Sequence, residues 1–197
     1  CYANGNGVPQ NYVEAVKWYR KAAEQGIAGA QLNLGNRYSD GVGVIKNHTE
    51  AIKWWYKAAK QGEAQAQYNL AVSYYKGEGI PKNKTEASRW YRKAAEGGNT
   101  EAMIMLGEIY TTGLIVEQDT VEGLKWYRKA LELGEVEVNR FLASFYENGR
   151  FLKRDTSLAI KLYIKAAEQE DERSQLRLGD YYKEGILVEK DHDKAVY

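Results

Sequence analysis

The sequence predicts an all-α protein, an α-solenoid built from 36-residue helix-turn-helix repeats. Three observations lead to this prediction: one segment recurs at a constant spacing, each copy has two stretches with helical periodicity, and glycines follow the predicted helix ends. The segment reads KWYRKAAEQG from Lys17, KWWYKAAKQG from Lys53, RWYRKAAEGG from Arg89, KWYRKALELG from Lys125 and KLYIKAAEQE from Lys161. Each start follows the last by 36 residues, so the 197-residue chain holds about five and a half copies. A fixed period of this length indicates a stacked repeat array.

The first helix of each copy is predicted from an apolar stripe that ends at a glycine. In the second copy Ala30, Leu34 and Tyr38 are spaced by four residues, which places them on one side of a helix. A glycine just beyond a helix suits the left-handed C′ position, where a Cβ is unfavourable. All six copies have glycine in this register: Gly5, Gly41, Gly77, Gly113, Gly149 and Gly185. We therefore expect the first helix to stop at this glycine in every copy.

The second helix of each copy is predicted to open with a capping residue. One register holds only Asn or Asp: Asn11, Asn47, Asn83, Asp119, Asp155 and Asp191. In four copies a glutamate follows three residues later, as in a capping box: Glu14, Glu50, Glu86 and Glu122. The second helices are predicted to end at Gly26, Gly62, Gly98 and Gly134, a pattern that Glu170 breaks.

The large aromatic rings recur at fixed positions and are predicted to form the core. Four tryptophans, Trp18, Trp54, Trp90 and Trp126, share one register, and Trp55 occupies the next. Each ring buries about 150–250 Å² of surface, and small residues such as Gly35 let the helices approach closely enough to cover it. Because one copy cannot bury its own apolar side, we expect the copies to stack, each in contact with its neighbours.

These positions together resemble the Sel1-like repeat, a relative of the tetratricopeptide repeat. The second copy reads Ala30, Leu34, Gly35, Tyr38 and Gly41, then Ala51, Trp54, Trp55, Lys57, Ala58, Ala59 and Gly62. The resemblance spans residues 1–197 as a single array and implies a right-handed superhelix like that of tetratricopeptide proteins. Later copies drift: Val138 and Ser174 replace the first alanine, Leu131 one of the paired alanines, and Leu162 the tryptophan. Cys1 in place of methionine and Tyr197 within a helical pattern suggest a fragment of a longer chain.

The resemblance implies a non-enzymatic scaffold or adaptor that binds partner proteins, in settings such as bacterial signalling or host interaction. One alternative is the substrate-recognition segment of a larger enzyme, such as a cell-wall hydrolase or amidase. Another is a purely structural spacer, which would have a uniformly charged groove. A cysteine-rich branch of the family has a disulfide in each repeat and binds β-lactams. This chain has one cysteine, Cys1, so that activity does not carry over.

The composition argues against several other classes of protein. The 28 basic and 27 acidic residues give a net charge of +1, whereas nucleic-acid binders normally have a clear excess of Lys and Arg. No run approaches the ~18 apolar residues of a transmembrane helix. The two histidines, His48 and His192, lie four repeats apart and cannot share a metal ion or pass a proton. We therefore expect no catalytic residue, no metal and no cofactor.

The candidate partner-binding residues lie on the side of the first helix opposite its core stripe. By helical arithmetic the positions at 29, 32, 36 and 39–40 share this side, which is here called the groove face. By analogy with tetratricopeptide arrays, we expect the groove face to line a concave groove. Across the copies it has an apolar cluster with a nearby arginine, a composition typical of an interface hot spot: Leu32, Tyr68, Val72, Tyr75, Ile104 and Arg140. We expect a protein or peptide partner to bind there. The alternative is that Tyr68 and Ile104 lean into the neighbouring repeat and belong to the core.

Overall fold

The computed structural model of the chain describes residues 11–185, and this part of the chain folds into ten α-helices without strands. The helices are α1 Tyr12–Glu24, α2 Ala28–Asp40, α3 His48–Lys60, α4 Ala64–Lys76, α5 Lys84–Glu96, α6 Thr100–Thr112, α7 Thr120–Glu132, α8 Glu137–Asn148, α9 Thr156–Ala167 and α10 Glu172–Glu184. Even-numbered helices are the predicted first helices and odd-numbered ones the predicted second helices, so the all-α prediction is confirmed. Cys1, Gly5, Asp191, His192 and Tyr197 lie outside the described residues.

The chain divides into two compact units, Cys1–Gln118 and Asp119–Tyr197. In the first unit, each helix from α1 to α5 packs against the helix that follows it. In the second unit, α7 to α10 pack in the same successive order. Within each unit this is the order of packing that stacked helical pairs require.

The predicted N-caps form at every second helix that the structure describes. A side-chain oxygen of the capping residue accepts a hydrogen bond from the backbone N–H three residues later, at 2.9–3.1 Å. The capping residues are Asn11, Asn47, Asn83, Asp119 and Asp155. Each bond satisfies one N–H group that the helix would otherwise leave unpaired, and stabilises the helix by about 1 kcal/mol.

The first helices end, as predicted, at glycines in the left-handed conformation. The five glycines of this register from Gly41 to Gly185 have φ between 62° and 83°. The second helices also reach a left-handed residue shortly after they end, beginning with Gly26 at φ 91°. In the fifth copy this residue is Glu170, at φ 65°. Glu170 therefore adopts the same left-handed backbone turn as the glycines of the other copies. For a residue with a Cβ this conformation costs about 1–2 kcal/mol.

The tryptophan register is buried in α3, α5 and α7 but not in α1. Trp54, Trp90 and Trp126 are 6–9% exposed, whereas Trp18 is 54% exposed. The ring of Tyr56, on the preceding second helix, lies 6.0 Å from the ring of Trp90 and meets it edge-on. Because α1 is the first helix that the structure describes, no described second helix precedes Trp18. The prediction that this register belongs to the core is confirmed for three helices and wrong for Trp18.

Gly35 lets α2 approach α3 closely, as its register predicts. A Cβ at this position would lie 2.5 Å from Cδ1 and Nε1 of Trp55. Trp55 is buried, and its indole N–H donates to Asn36 Oδ1 at 2.9 Å. The ring therefore cannot move away from α2 without losing packing and a hydrogen bond.

We expect Gly35→Ala to destabilise the first unit by about 1–3 kcal/mol, the usual cost of overpacking a core. In an ordinary helix a Gly→Ala substitution has the opposite effect and stabilises the protein, because alanine favours a helix over glycine by roughly 1 kcal/mol. Gly29→Ala, in the same helix, is the matched control, since a Cβ there meets nothing within 4 Å and should not destabilise. Urea denaturation followed by circular dichroism measures both variants. Equal stability of the two would contradict the close approach.

Candidate protein-binding site

The first unit carries five of the six predicted partner-binding residues on its groove face. Leu32 lies on α2, Ile104 lies on α6, and Tyr68, Val72 and Tyr75 lie on α4. All five are half-buried, so each packs against the unit while part of its surface stays accessible. Three successive first helices of one compact unit thus contribute to the groove face.

The two groove-face tyrosines of α4 have different surroundings. The ring of Tyr68 lies 5.8 Å from that of Tyr91, which is buried on α5 of the same copy. Burial and the nearby Glu101 carboxylate raise the pKa of Tyr68, so its hydroxyl remains a hydrogen-bond donor at neutral pH. The ammonium of Lys82 lies 6.0 Å from the ring centroid of Tyr75. Each ring is therefore supported by a neighbour and keeps some surface for a partner.

A ladder of side-chain amides crosses the same helices, and sequence reasoning missed it. Asn36 Oδ1 accepts hydrogen bonds from Trp55 Nε1 at 2.9 Å and from Asn69 Nδ2 at 3.1 Å. Asn69 Oδ1 accepts from Gln65 Nε2 at 3.2 Å, and Gln65 Oε1 accepts from Asn99 Nδ2 at 3.0 Å. Because Asn99 is the N-cap of α6, the ladder joins α2, α4 and the start of α6. It links the helices of the groove face and adds polar groups to it.

A second set of amides ties α2 and α4 to the second helix that precedes each of them. Buried Gln31 donates to the carbonyl oxygen of Ala23 at 3.1 Å. One copy later, buried Gln67 donates to the carbonyl oxygen of Ala59 at the same distance. Gln61 Nε2 in turn donates to Gln31 Oε1 at 2.8 Å. The 36-residue spacing of Gln31 and Gln67 is a signal from which this tie could have been predicted.

Arg140, the sixth predicted residue, lies on α8 in the second unit. Its guanidinium donates to Glu137 Oε1 at 2.8 Å and to Asp171 Oδ2 at 3.2 Å. The same group lies 4.5 Å from the ring centroid of Phe141. Burial would raise the pKa of Asp171, but hydrogen bonds from Ser174 and the charge of Arg140 outweigh this effect and lower it. Arg140 is therefore paired with two carboxylates and has 15% of its side chain exposed.

A largely buried carboxylate on α8 binds donors from α9 and α10. Glu147 accepts hydrogen bonds from the hydroxyls of Tyr163 and Tyr181 at 2.8 and 2.7 Å. It also accepts from Nε of Arg177 at 2.7 Å. Burial would raise the pKa of Glu147, but these hydrogen bonds outweigh burial and lower it, while burial and the carboxylate raise the pKa of Tyr181 to about 12. Both pKa values therefore lie further from neutral pH than usual, so the cluster is suited to holding helices together rather than to acid–base catalysis.

The described residues offer no metal site. Within residues 11–185 no group of three or more His, Cys, Asp or Glu side chains could hold a metal ion. His48 is the first residue of α3, while His192 and Cys1 lie outside this range. None of the described helices is both long and apolar enough to cross a membrane.

The repeat pattern and the fold together define the class of protein. The Sel1 repeat family model matches the chain at residues 1–27, 28–63, 64–99, 100–135, 136–171 and 173–197. The chain therefore belongs to the Sel1 repeat family, and both the predicted resemblance and the all-α solenoid fold are confirmed. Sel1 repeat proteins are generally protein-interaction scaffolds, and their fold is typically non-catalytic.

Solved structures of several bacterial proteins are similar to the chain. A Sel1 repeat protein from Oxalobacter formigenes is 35% identical with a TM-score of 0.89, and the match covers 98% of this chain and 80% of that one. A protective antigen of uropathogenic Escherichia coli with an SLR fold is 38% identical with a TM-score of 0.91, covering 98% of this chain but 42% of the antigen. The immunity protein Pa5087 from Pseudomonas aeruginosa is 25% identical with a TM-score of 0.57, covering 87% and 63%. A search of curated protein sequences gives no match.

Proposed function

We propose that this chain is a non-enzymatic scaffold that binds one or more partner proteins through its groove face. The observation that carries the proposal is that five apolar side chains at groove-face positions of α2, α4 and α6 are only half-buried: Leu32, Tyr68, Val72, Tyr75 and Ile104. Accessible apolar surface rimmed by polar groups marks interaction sites, and tyrosines are frequent among the residues that contribute most to binding. The amide ladder beside these side chains supplies groups that can hydrogen-bond the backbone of a bound segment.

The partner is a protein or peptide that enters as an extended or helical segment. The similarity to a protective antigen and to an immunity protein of bacteria supports a role in bacterial signalling or host interaction. Arg140 lies in the second unit, where it pairs with Glu137 and Asp171, and its part in partner binding stays a prediction.

We expect Tyr68→Ala combined with Tyr75→Ala to weaken partner binding at least about tenfold, because hot-spot side chains contribute roughly 2 kcal/mol or more each. Parent and variant chains are immobilised, proteins from the native cell extract are captured, and the protein retained by the parent is then titrated against both. Helical circular dichroism should be unchanged.

The matched control removes two exposed apolar side chains outside the groove face, with Ile45→Ala and Leu114→Ala. This control should bind the partner as the parent does. If the tyrosine variant retains the partner with parental affinity, the assignment of the groove face is wrong. Turnover of a small molecule by the chain would contradict the non-enzymatic role.

A further inference from the structure

Three crevices recur at the same register in successive copies of the first unit. Each lies between a second helix and the loop after the next first helix, and they are here called the first, second and third crevice. The first is lined by α1 and Val44, the second by α3 and Ile80, and the third by α5 and Val116. Their volumes are about 520, 430 and 410 Å³. Each has room for several side chains of a bound segment.

Apolar groups and cations line each crevice together. Trp18 lines the first crevice, Tyr74 lines the second, and Tyr110 and Ile115 line the third. The cations are Lys17, Arg20 and Lys21 in the first crevice, Lys53 and Lys57 in the second, and Arg89, Arg92 and Lys93 in the third. The carboxylates are fewer: Glu14 and Glu24 in the first, Glu50 in the second and Glu96 in the third. Each crevice therefore has a surplus of positive charge.

One lysine in each crevice lies on the face of a tryptophan ring. The Nζ atoms of Lys21, Lys57 and Lys93 lie 4.5, 4.1 and 4.7 Å from the ring centroids of the tryptophans three residues earlier. Among the ion pairs of residues 11–185, none involves these three lysines. All three are exposed, so each holds a positioned ammonium group beside apolar surface.

The charges of the first unit are segregated between its two kinds of helix. The second helices α1, α3 and α5 hold ten Lys or Arg against five Glu, a net charge of +5. The first helices α2, α4 and α6 hold two Lys or Arg against three Asp or Glu, a net charge of −1. A negatively charged partner is therefore attracted to the second helices rather than to the groove face.

We propose that the three crevices bind an acidic segment of a partner protein in which carboxylates are interspersed with apolar side chains. The apolar side chains pack against the Val and Ile side chains that line the crevices, and the carboxylates pair with the lysines on the tryptophan rings. A phosphate polymer matches the charge of this surface but has no apolar side chains to fill the crevices. A membrane surface is too broad to enter them. The crevices form a second binding surface that is distinct from the groove face.

The test is a titration of the full 197-residue chain with a labelled peptide of mixed Glu and Leu residues, followed by fluorescence anisotropy. A matched peptide with Gln at every Glu position should bind at least about tenfold more weakly, and added salt should weaken binding of the acidic peptide. Lys57→Gln with Lys93→Gln should lower the affinity for the acidic peptide about tenfold, since two positioned cations are lost. Lys46→Gln with Lys76→Gln removes the same charge from exposed positions that line none of the three crevices, and should change the affinity less than about twofold.

Equal binding of the two peptides, or equal losses in the two variant pairs, would overturn the proposal. Phosphatidylglycerol vesicles and single-stranded DNA are titrated in parallel. If either binds more tightly than the acidic peptide and loses affinity in the Lys57→Gln/Lys93→Gln chain, the crevices recognise phosphate and the proposal is wrong.

Discussion

Trp54→Ala is expected to destabilise the first unit by about 3–5 kcal/mol, the range for removing a buried aromatic side chain. Trp54 is 6% exposed and belongs to a core cluster with Val16 and Ala23 of α1 and Leu34 of α2. Its removal would leave a cavity bounded by three helices. The neighbouring alanines are too small to fill this cavity, so the structure can relax only in part.

Trp54→Phe is the matched control for this prediction. The indole N–H of Trp54 is buried without a hydrogen-bond partner among the described residues, so phenylalanine loses no hydrogen bond. It also keeps most of the buried ring surface, and we expect less than half the cost of the alanine variant. Urea denaturation measures both. Equal costs for the two substitutions would contradict the view that packing, rather than polar contact, makes Trp54 important.

Glu147→Ala is expected to destabilise the second unit by about 2–4 kcal/mol. The substitution leaves the hydroxyls of Tyr163 and Tyr181 without their acceptor, and a buried unsatisfied donor costs about 1–3 kcal/mol. Arg177 has 39% of its side chain exposed, so solvent screens the loss of its ion pair. Glu132→Ala, at an exposed position of α7, is the control and should stay within about 0.5 kcal/mol of the parent. If the Glu147→Ala chain is as stable as this control, the cluster contributes nothing to the stability of the second unit.

The Glu147 carboxylate also makes the stability of the second unit depend on pH. Its pKa is lower in the folded chain than its ordinary value of 4.5, so folding favours the ionised form. The stabilisation is therefore complete above pH 4.5 and is lost as the pH falls below that value. The stability difference between parent and Glu147→Gln should be constant from about pH 7 to 5 and should shrink at lower pH. A difference that stays the same at about pH 3 would contradict this assignment.

The helix boundaries could be predicted from the sequence because capping is a local matter. Asn47 caps α3 through the backbone N–H of Glu50, three residues away, and Gly41 ends α2 through its own left-handed φ. The close approach at Gly35 could also be predicted, since a small residue and the large ring of Trp55 recur in registers that the helical pair brings together. In these cases the residues that decide the structure all belong to one copy of the repeat.

Other polar contacts between copies, unlike the ties made by Gln31 and Gln67, could not be predicted from these patterns. Asn36 and Asn69 occupy different registers, so their hydrogen bond depends on how closely α2 and α4 stack and on two rotamers. Glu147 occupies the same groove-face register as Tyr75. It accepts hydrogen bonds only because later helices stack against α8 and place tyrosines beside it, among them Tyr181, 34 residues further along the chain. Whether Trp18 is buried likewise depends on a neighbouring helix and not on its own register.

The candidate site was predictable in part. Helical arithmetic places Tyr68 and Tyr75 on one helix, with Leu32 and Ile104 on the first helices of the flanking copies, as the structure shows. The degree of burial of these side chains depends on their neighbours, and so does the pairing of Arg140 with Asp171. Neither could be read from the spacing of residues alone.

Site-specific photocrosslinking tests most directly whether the groove face holds the partner. A photoreactive phenylalanine derivative replaces Tyr75 on the groove face in one chain, and in a second chain it replaces Ile45, which is 90% exposed in the loop after α2. Each chain is mixed with the captured partner and irradiated. If the groove face holds the partner, crosslinks form from position 75 and not from position 45. Crosslinks from position 45 alone, or with equal yield from both positions, would contradict it.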